Sequence, residues 1–231
     1  MEYTTWRHIF KLDPAKELSD EALERIAESG TDGIIVGGSD GVTLDNVLHL
    51  LARIRRYSVD VALEVSTIDS VTPGFDYYFI PTVLNTKNEK YIKGLHVDAL
   101  EAYGHLMTQE QLITEGYCIL NPACKAAQLT EADANLTLDE VVAHAQLAEH
   151  IFHLPIFYLE YSGIYGDLEV IREVADTLEK TDLVYGGGID SAEKAAEVAR
   201  YADSVVVGNV IYEYLTAALQ TVKAVQKTEK Q

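Results

Sequence analysis

The sequence predicts an α/β fold, a (β/α)8 TIM barrel, from three observations. Short β-rich runs alternate with longer amphipathic segments along the whole chain, which is the pattern of parallel βα units. Eight such runs can be placed, the number that closes a barrel of this kind. The last two run into glycine: Leu183-Val184-Tyr185 into Gly186, Gly187 and Gly188, and Ser204-Val205-Val206-Val207 into Gly208-Asn209. Glycine lets the backbone approach an anion closely and present its N–H groups. Turns after strands seven and eight are where such barrels bind phosphate.

The strands fall at residues 7–12, 33–36, 61–65, 77–81, 116–120, 156–161, 183–185 and 204–207. Amphipathic segments at 20–28, 45–56, 138–149, 168–178 and 192–201 separate them, several opened by Ser, Thr or Asp at cap positions. One unit departs from the scheme. The stretch 66–76, with Pro73 and Gly74, is too short for a crossover helix, so a shortened connection replaces the helix between strands three and four. That leaves a gap in the outer ring where a long apolar group could lie, unless the turn merely closes the barrel. With 231 residues against roughly 250 for a typical barrel, 1–231 reads as a single TIM-barrel domain.

Composition narrows the partners. Acidic residues outnumber basic ones 37 to 18, a formal charge of −19, which repels nucleic acid and anionic headgroups. An anionic substrate must then be held locally, by backbone N–H groups, a few placed cations and a divalent metal. Cys118 and Cys124 lack the spacing of a zinc or disulfide motif and read as reduced structural thiols. No run approaches about 18 uninterrupted apolar residues and no basic-then-apolar leader opens the chain, so the expectation is a cytoplasmic protein with no membrane span.

In a barrel, chemistry gathers where strands end. Strand one ends in Lys11, Asp13 and Pro14; strand two in Gly37, Gly38, Ser39 and Asp40; strand three in Glu64 and Ser66. Strand four supplies Thr82 and Asn85, strand five Asn121 and Lys125, and strand six Glu160, Tyr161, Ser162 and Gly163. Lys11 and Asp13 are two apart and share a face, a cation beside a hard oxygen ligand, which suits phosphate with magnesium. The competing role for Asp13 is to cap a helix opening at Pro14. Ser39 offers a neutral oxygen to the same metal or caps the second helix. Glu160 stands in the aromatic run Phe157-Tyr158-Leu159-Glu160-Tyr161, where a carboxylate is costly without a partner or a task. Facing inward it serves as a general base or steadies positive charge; facing outward it is an ion-pair residue. The histidines have no metal-motif spacing, and His150 and His153 read as the end of a helix.

Five stretches carry a likeness to a known family: Phe10-Lys11-Leu12-Asp13-Pro14, Gly37-Gly38-Ser39-Asp40, Tyr158-Leu159-Glu160-Tyr161-Ser162-Gly163, Tyr185-Gly186-Gly187-Gly188-Ile189 and Val207-Gly208-Asn209. In order and spacing they resemble the PcrB family, the bacterial heptaprenylglyceryl phosphate synthases, which are related to archaeal geranylgeranylglyceryl phosphate synthases. The resemblance implies transfer of a long prenyl group from heptaprenyl diphosphate to the C3 hydroxyl of sn-glycerol 1-phosphate, with no redox cofactor. It assigns glycerol phosphate to Lys11, Tyr158, Leu159, Glu160, Tyr161, Ser162, Gly163, Gly188, Gly208 and Asn209, and Mg2+ to Asp13 and Ser39. It also implies a homodimer and transient contact with membrane-held lipid. The stretch 91–103 carries Ile92, Leu95, Ala99 and Tyr103 at helical spacing, as core or as the wall of a prenyl groove. The archaeal relatives tend to place a bulky aromatic near there, so Ala99 implies a longer channel.

Two other readings compete. A sugar-phosphate isomerase or aldolase would share barrel and glycines, but it needs a distinct acid/base pair or a Schiff-base lysine, for which Lys11 and Lys125 are the candidates. A non-enzymatic oligomeric scaffold would have lost the polar strand ends, and they are present.

Overall fold

The computed structural model describes residues 2–231. Eight parallel strands close into a barrel in chain order. They are β1 (His8–Leu12), β2 (Gly33–Val36), β3 (Asp60–Glu64), β4 (Tyr77–Val83), β5 (Leu112–Ile119), β6 (Ile156–Glu160), β7 (Asp182–Gly186) and β8 (Ser204–Val207), and β8 pairs back onto β1. Around them lie α1 (Asp20–Ala27), α2 (Leu44–Ile54), α3 (Gly94–Tyr103), α4 (Lys125–Thr130), α5 (Leu138–Gln146), α6 (Leu168–Thr177), α7 (Ala192–Ala199), the short α8 (Val210–Glu213) and α9 (Leu215–Lys227).

Local chemistry sets the helix starts. Ser19 Oγ accepts from the Ala22 N–H at 3.1 Å, Thr43 and Asn46 form a capping box, and so do Thr137 and Glu140. Each such cap contributes about 1 kcal/mol. Both cap alternatives for the metal candidates are thereby corrected: α1 begins beyond Asp13 and is capped by Ser19, and α2 is capped by Thr43 rather than Ser39 or Asp40.

Strand alternation divides the apolar residues into two layers. Phe10, Leu12, Ile34, Leu63, Phe157, Leu159 and Val205 pack outward against the helices, whereas Ile9, Ile35, Ala62, Phe79, Ile113, Tyr158, Val184 and Val206 fill the barrel with Trp6 beneath them. Burying both faces explains why these strands read as continuous apolar runs.

Several boundaries differ from the sequence reading. β5 starts at Leu112, four residues before the expected 116, and β4 runs past Pro81 to Val83; the two share a six-pair register. The helix read at 138–149 continues as a π turn, Leu147–Phe152, and stops at His153, whose φ of 53° lies in the left-handed region. Between β3 and β4 the chain makes only a 3-10 turn, Ile68–Ser70, so the outer ring is open there. α3 lies beside the opening with none of its residues buried, and His96 Nε2 ties it to the end of β4 through Pro81 O at 3.0 Å. Among the described residues no helix is long and apolar enough to cross a membrane.

Candidate active site

Two cavities meet at the C-terminal mouth of the barrel. A polar one of about 300 Å3 lies over β1, β6, β7 and β8, with Asp13, Lys16, Tyr158, Ser162, Gly163, Gly188, Gly208 and Asn209 in its walls. An apolar groove of about 340 Å3 runs outward through the opening between α3 and the β3–β4 connection, lined by Val65, Ile68, Val71, Leu95, Ala99, Tyr103 and Leu112 among others. Lys11, Gly38, Ser39, Ala126 and Glu160 line both.

Glu160 points inward from the last position of β6 and is buried. The Ser162 N–H donates to its Oε1 at 2.7 Å, and Asn121 Nδ2 holds the Ser162 carbonyl at 2.6 Å, fixing the turn that makes this contact. Burial raises the Glu160 carboxyl to about 7, opposed by Lys11 and reinforced by Glu64. Lys11 Nζ donates to Glu64 Oε1 at 2.7 Å; burial works against the ammonium, but Glu64 and Glu160 outweigh it and raise its pKa. The Tyr117 hydroxyl donates to the same Glu64 oxygen, and its ring stacks on Tyr158 at 4.3 Å and 12°. Charged and aromatic groups therefore surround the junction of the two cavities.

The β7–β8 end of the polar cavity is made largely of glycine turns. Gly188 has φ 55°, and a Cβ there would collide with the Ile164–Tyr165 backbone, so only glycine fits. A Cβ on Gly208 would have no neighbour nearer than 3.7 Å; packing does not require that glycine, and its bareness keeps the cavity floor open. Turns after β7 and β8, followed by the short α8, form the arrangement in which (β/α)8 barrels hold phosphate.

Asp13 and Ser39 also meet here. The Asp13 Oδ1 accepts from the Ala15 N–H at 2.9 Å, and Gly38 stands directly beside the carboxylate. One carboxylate and one hydroxyl at a polar cavity are the kind of oxygen donors magnesium takes, its shell being completed by water and substrate oxygens. Among the described residues no three His, Cys, Asp or Glu side chains converge as a ligand set, so the cation would depend on that substrate contribution.

Two of the expected site residues do not line either cavity. The Leu159 and Tyr161 side chains face away from both cavities, because alternation along β6 turns Ile156, Tyr158 and Glu160 inward: Leu159 is buried in the helix-facing layer, and the Tyr161 ring packs against Gly166. Ile92 likewise lies outside the groove, while Leu95, Ala99 and Tyr103 line it, and the exposed α3 is not core. Lys125 is exposed and ion-paired with Asp40 across the mouth, and Lys11 is committed to Glu64, so neither stands as a Schiff-base lysine.

Sequence reasoning overlooked Glu115. It points into the barrel and is fully buried, with neither carboxylate oxygen hydrogen-bonded, and burial followed by Glu64 pushes its pKa well above the ordinary range. The signal was present: Glu115 shares the inward alternation of Ile113, Tyr117 and Ile119. Glu64 reads from sequence only as a strand end with no partner named, and Lys16 carries no motif signal.

The PcrB family model matches residues 1–226. The heptaprenylglyceryl phosphate synthase of Lysinibacillus sphaericus is 60% identical over 99% of this chain and 100% of its own. That of Anoxybacillus flavithermus is 60% identical over 97% of each. Among solved structures, (S)-3-O-geranylgeranylglyceryl phosphate synthase from Thermoplasma acidophilum, in complex with its substrate sn-glycerol-1-phosphate, superposes with a TM-score of 0.85 at 24% identity, covering 96% of this chain and 94% of its own. A thiamine phosphate pyrophosphorylase from Pyrococcus furiosus shares the fold more loosely, with a TM-score of 0.62 at 14% identity, covering 97% of each chain.

Proposed function

The chain belongs to the PcrB family, and from that premise we propose that it transfers a heptaprenyl group from heptaprenyl diphosphate to sn-glycerol 1-phosphate. One observation carries the reading beyond a generic phosphate barrel: an apolar groove open at the side of the barrel joins a polar, glycine-turned cavity at Lys11, Gly38, Ser39, Ala126 and Glu160. A donor with an apolar tail and a charged head, reacting with a small phosphorylated alcohol, needs those two compartments in contact.

The acceptor's phosphate lies against the backbone of Gly188 and Gly208-Asn209, with its C3 hydroxyl toward Glu160. Lys11 and the turn Ser162-Gly163 hold the rest of the glycerol, over the face of Tyr158. The hydroxyl oxygen bonds to C1 of the prenyl group as the bond from C1 to the diphosphate oxygen breaks, and the hydroxyl proton passes to the Glu160 carboxylate. A carboxyl raised to about 7 is near the best value for a base at neutral pH. Holding hydroxyl and C1 in register supplies much of the rate. The tail leaves along Leu95, Ala99 and Tyr103.

Asp13 and Ser39 are the residues that would hold Mg2+, which when bound supplies charge neutralisation for the diphosphate. Homodimer formation, a cytoplasmic location and transient contact with membrane-held lipid belong to the same proposal; light scattering and vesicle flotation of the purified protein read the first and last.

The test is mass spectrometry of products from labelled sn-glycerol 1-phosphate, magnesium and a series of prenyl diphosphates. The expected product is a prenyl ether with the seven-isoprene donor accepted. Absence of any ether, with isomerisation or cleavage of a sugar phosphate instead, overturns the reading.

A further inference from the structure

The polar cavity is poorly matched to the dianion it is proposed to hold. Asp13, Glu160, Asp190 and Glu213 line it against two cations, Lys11 and Lys16. Lys11 is already matched to Glu64 at 2.7 Å. Lys16 is different: among the described residues its Nζ has no carboxylate partner and donates instead to Asn209 Oδ1 at 3.1 Å. It lies over the Tyr212 ring, 4.8 Å from the centroid. The Tyr212 hydroxyl in turn accepts the Asp13 N–H at 2.8 Å, so the ring stands beside the β1 loop and draws the ammonium toward Asn209.

We infer that Lys16 is a further binding residue for the acceptor's phosphate, supplying an ammonium not matched to a carboxylate and fixing the Asn209 amide so that its NH2 faces the phosphate. The second part follows from hydrogen-bond inventory. An ammonium only donates, so the amide atom facing it is the oxygen, which turns the two N–H donors of Asn209 the other way. The first part follows from charge. In a protein of formal charge −19 with four carboxylates around the cavity, backbone N–H groups alone face an adverse field, and an unmatched cation at the β8 turn offsets it locally. The lysine reaches this turn from the β1–α1 loop, so acceptor binding also draws that loop, with Asp13, toward β8.

This inference rests on the acceptor reading above, and binding measured without turnover separates the two. The full-length protein with Lys16→Met and Lys16→Arg is titrated calorimetrically with sn-glycerol 1-phosphate and, separately, with inorganic phosphate, in the absence of donor. Lys16→Met is expected to weaken both roughly tenfold or more, with Lys16→Arg recovering most of the loss. In steady state the KM for sn-glycerol 1-phosphate rises in parallel, and by more than the KM for prenyl diphosphate. Lys16 is exposed, and an unchanged melting curve checks that the variants fold. Unaltered affinity for both phosphates overturns the inference, as does a rise confined to the donor's KM, which would assign Lys16 to the diphosphate. A protein that makes no ether yet loses glycerol phosphate binding in Lys16→Met keeps the clamp and loses the transferase reading.

Discussion

A Cβ atom on Gly38 would stand 2.7 Å from Oδ1 of Asp13, so the carboxylate occupies space that any other residue at position 38 would need. Gly38 has no positive φ to explain it, and the neighbour a Cβ would meet is the Asp13 carboxylate rather than apolar packing. Gly38→Ala is therefore expected to displace the Asp13 carboxylate and raise the magnesium requirement, as Asp13→Asn does by removing the charged oxygen. Magnesium titrations of the rate for both variants, beside melting curves, read this out. Wild-type magnesium dependence in Asp13→Asn would remove Asp13 from the metal.

Glu160 must be ionised to accept a proton, and burial raises its carboxyl to about 7. The value of kcat/KM should rise with pH through that region and flatten above it, falling about tenfold per unit on the acid side. Glu160→Gln keeps the shape and loses the base: turnover nearly vanishes while glycerol phosphate still binds. An acid limb in the ordinary carboxylate range, or an active Gln variant, would exclude Glu160 as the base.

Glu115 has no hydrogen-bond partner for either oxygen, and its folded pKa is held above the ordinary 4.5 by burial. Below that ordinary value both folded and unfolded chains carry the proton and nothing is lost. As pH climbs past it, the unfolded chain releases the proton and the folded chain does not, so stability falls until the folded pKa is reached. Glu115→Gln cannot titrate. Its stability advantage should grow with pH, by at most ~1.4 kcal/mol per unit, in urea melts at mildly acid and mildly alkaline pH. A gap that stays constant would mean that Glu115 is not held neutral.

The barrel was legible because βα alternation repeats along the chain and each strand carries its own apolar signal. What escaped was set by contacts between distant residues. Lys11 and Glu64 are 53 positions apart, and nothing in either strand names the other. The early start of β5 was hidden because Glu115, a charged residue, made Leu112–Gly116 look unlike a buried strand. Leu159 and Tyr161 were assigned to the site because they adjoin Tyr158 and Glu160 in the motif, yet adjacency along a strand is what sends a side chain to the opposite face. Asp13 and Ser39 are metal candidates by their strand-end positions, and the helix starts that sequence also offered them are held by Ser19 and Thr43, contacts no local pattern distinguishes.

Ala99 lines the groove from α3, a helix with no buried residue, so an added ring there meets groove volume rather than a packed interior. Overpacking a core costs ~1 to 3 kcal/mol and slows every substrate alike. Filling part of a groove of about 340 Å3 is expected to act on the tail alone, at a distance from the Lys11–Glu160 junction proposed for the chemistry. Ala99→Trp should therefore shorten the longest prenyl diphosphate accepted, leave the rate with a short donor nearly intact and leave the melting temperature unchanged. Rates with one short and one long donor, measured beside a melting curve, decide it. Equal loss with both donors and a lower melting temperature would place Ala99 in a packed contact and leave the tail channel to Leu95, Tyr103 and the β3–β4 connection.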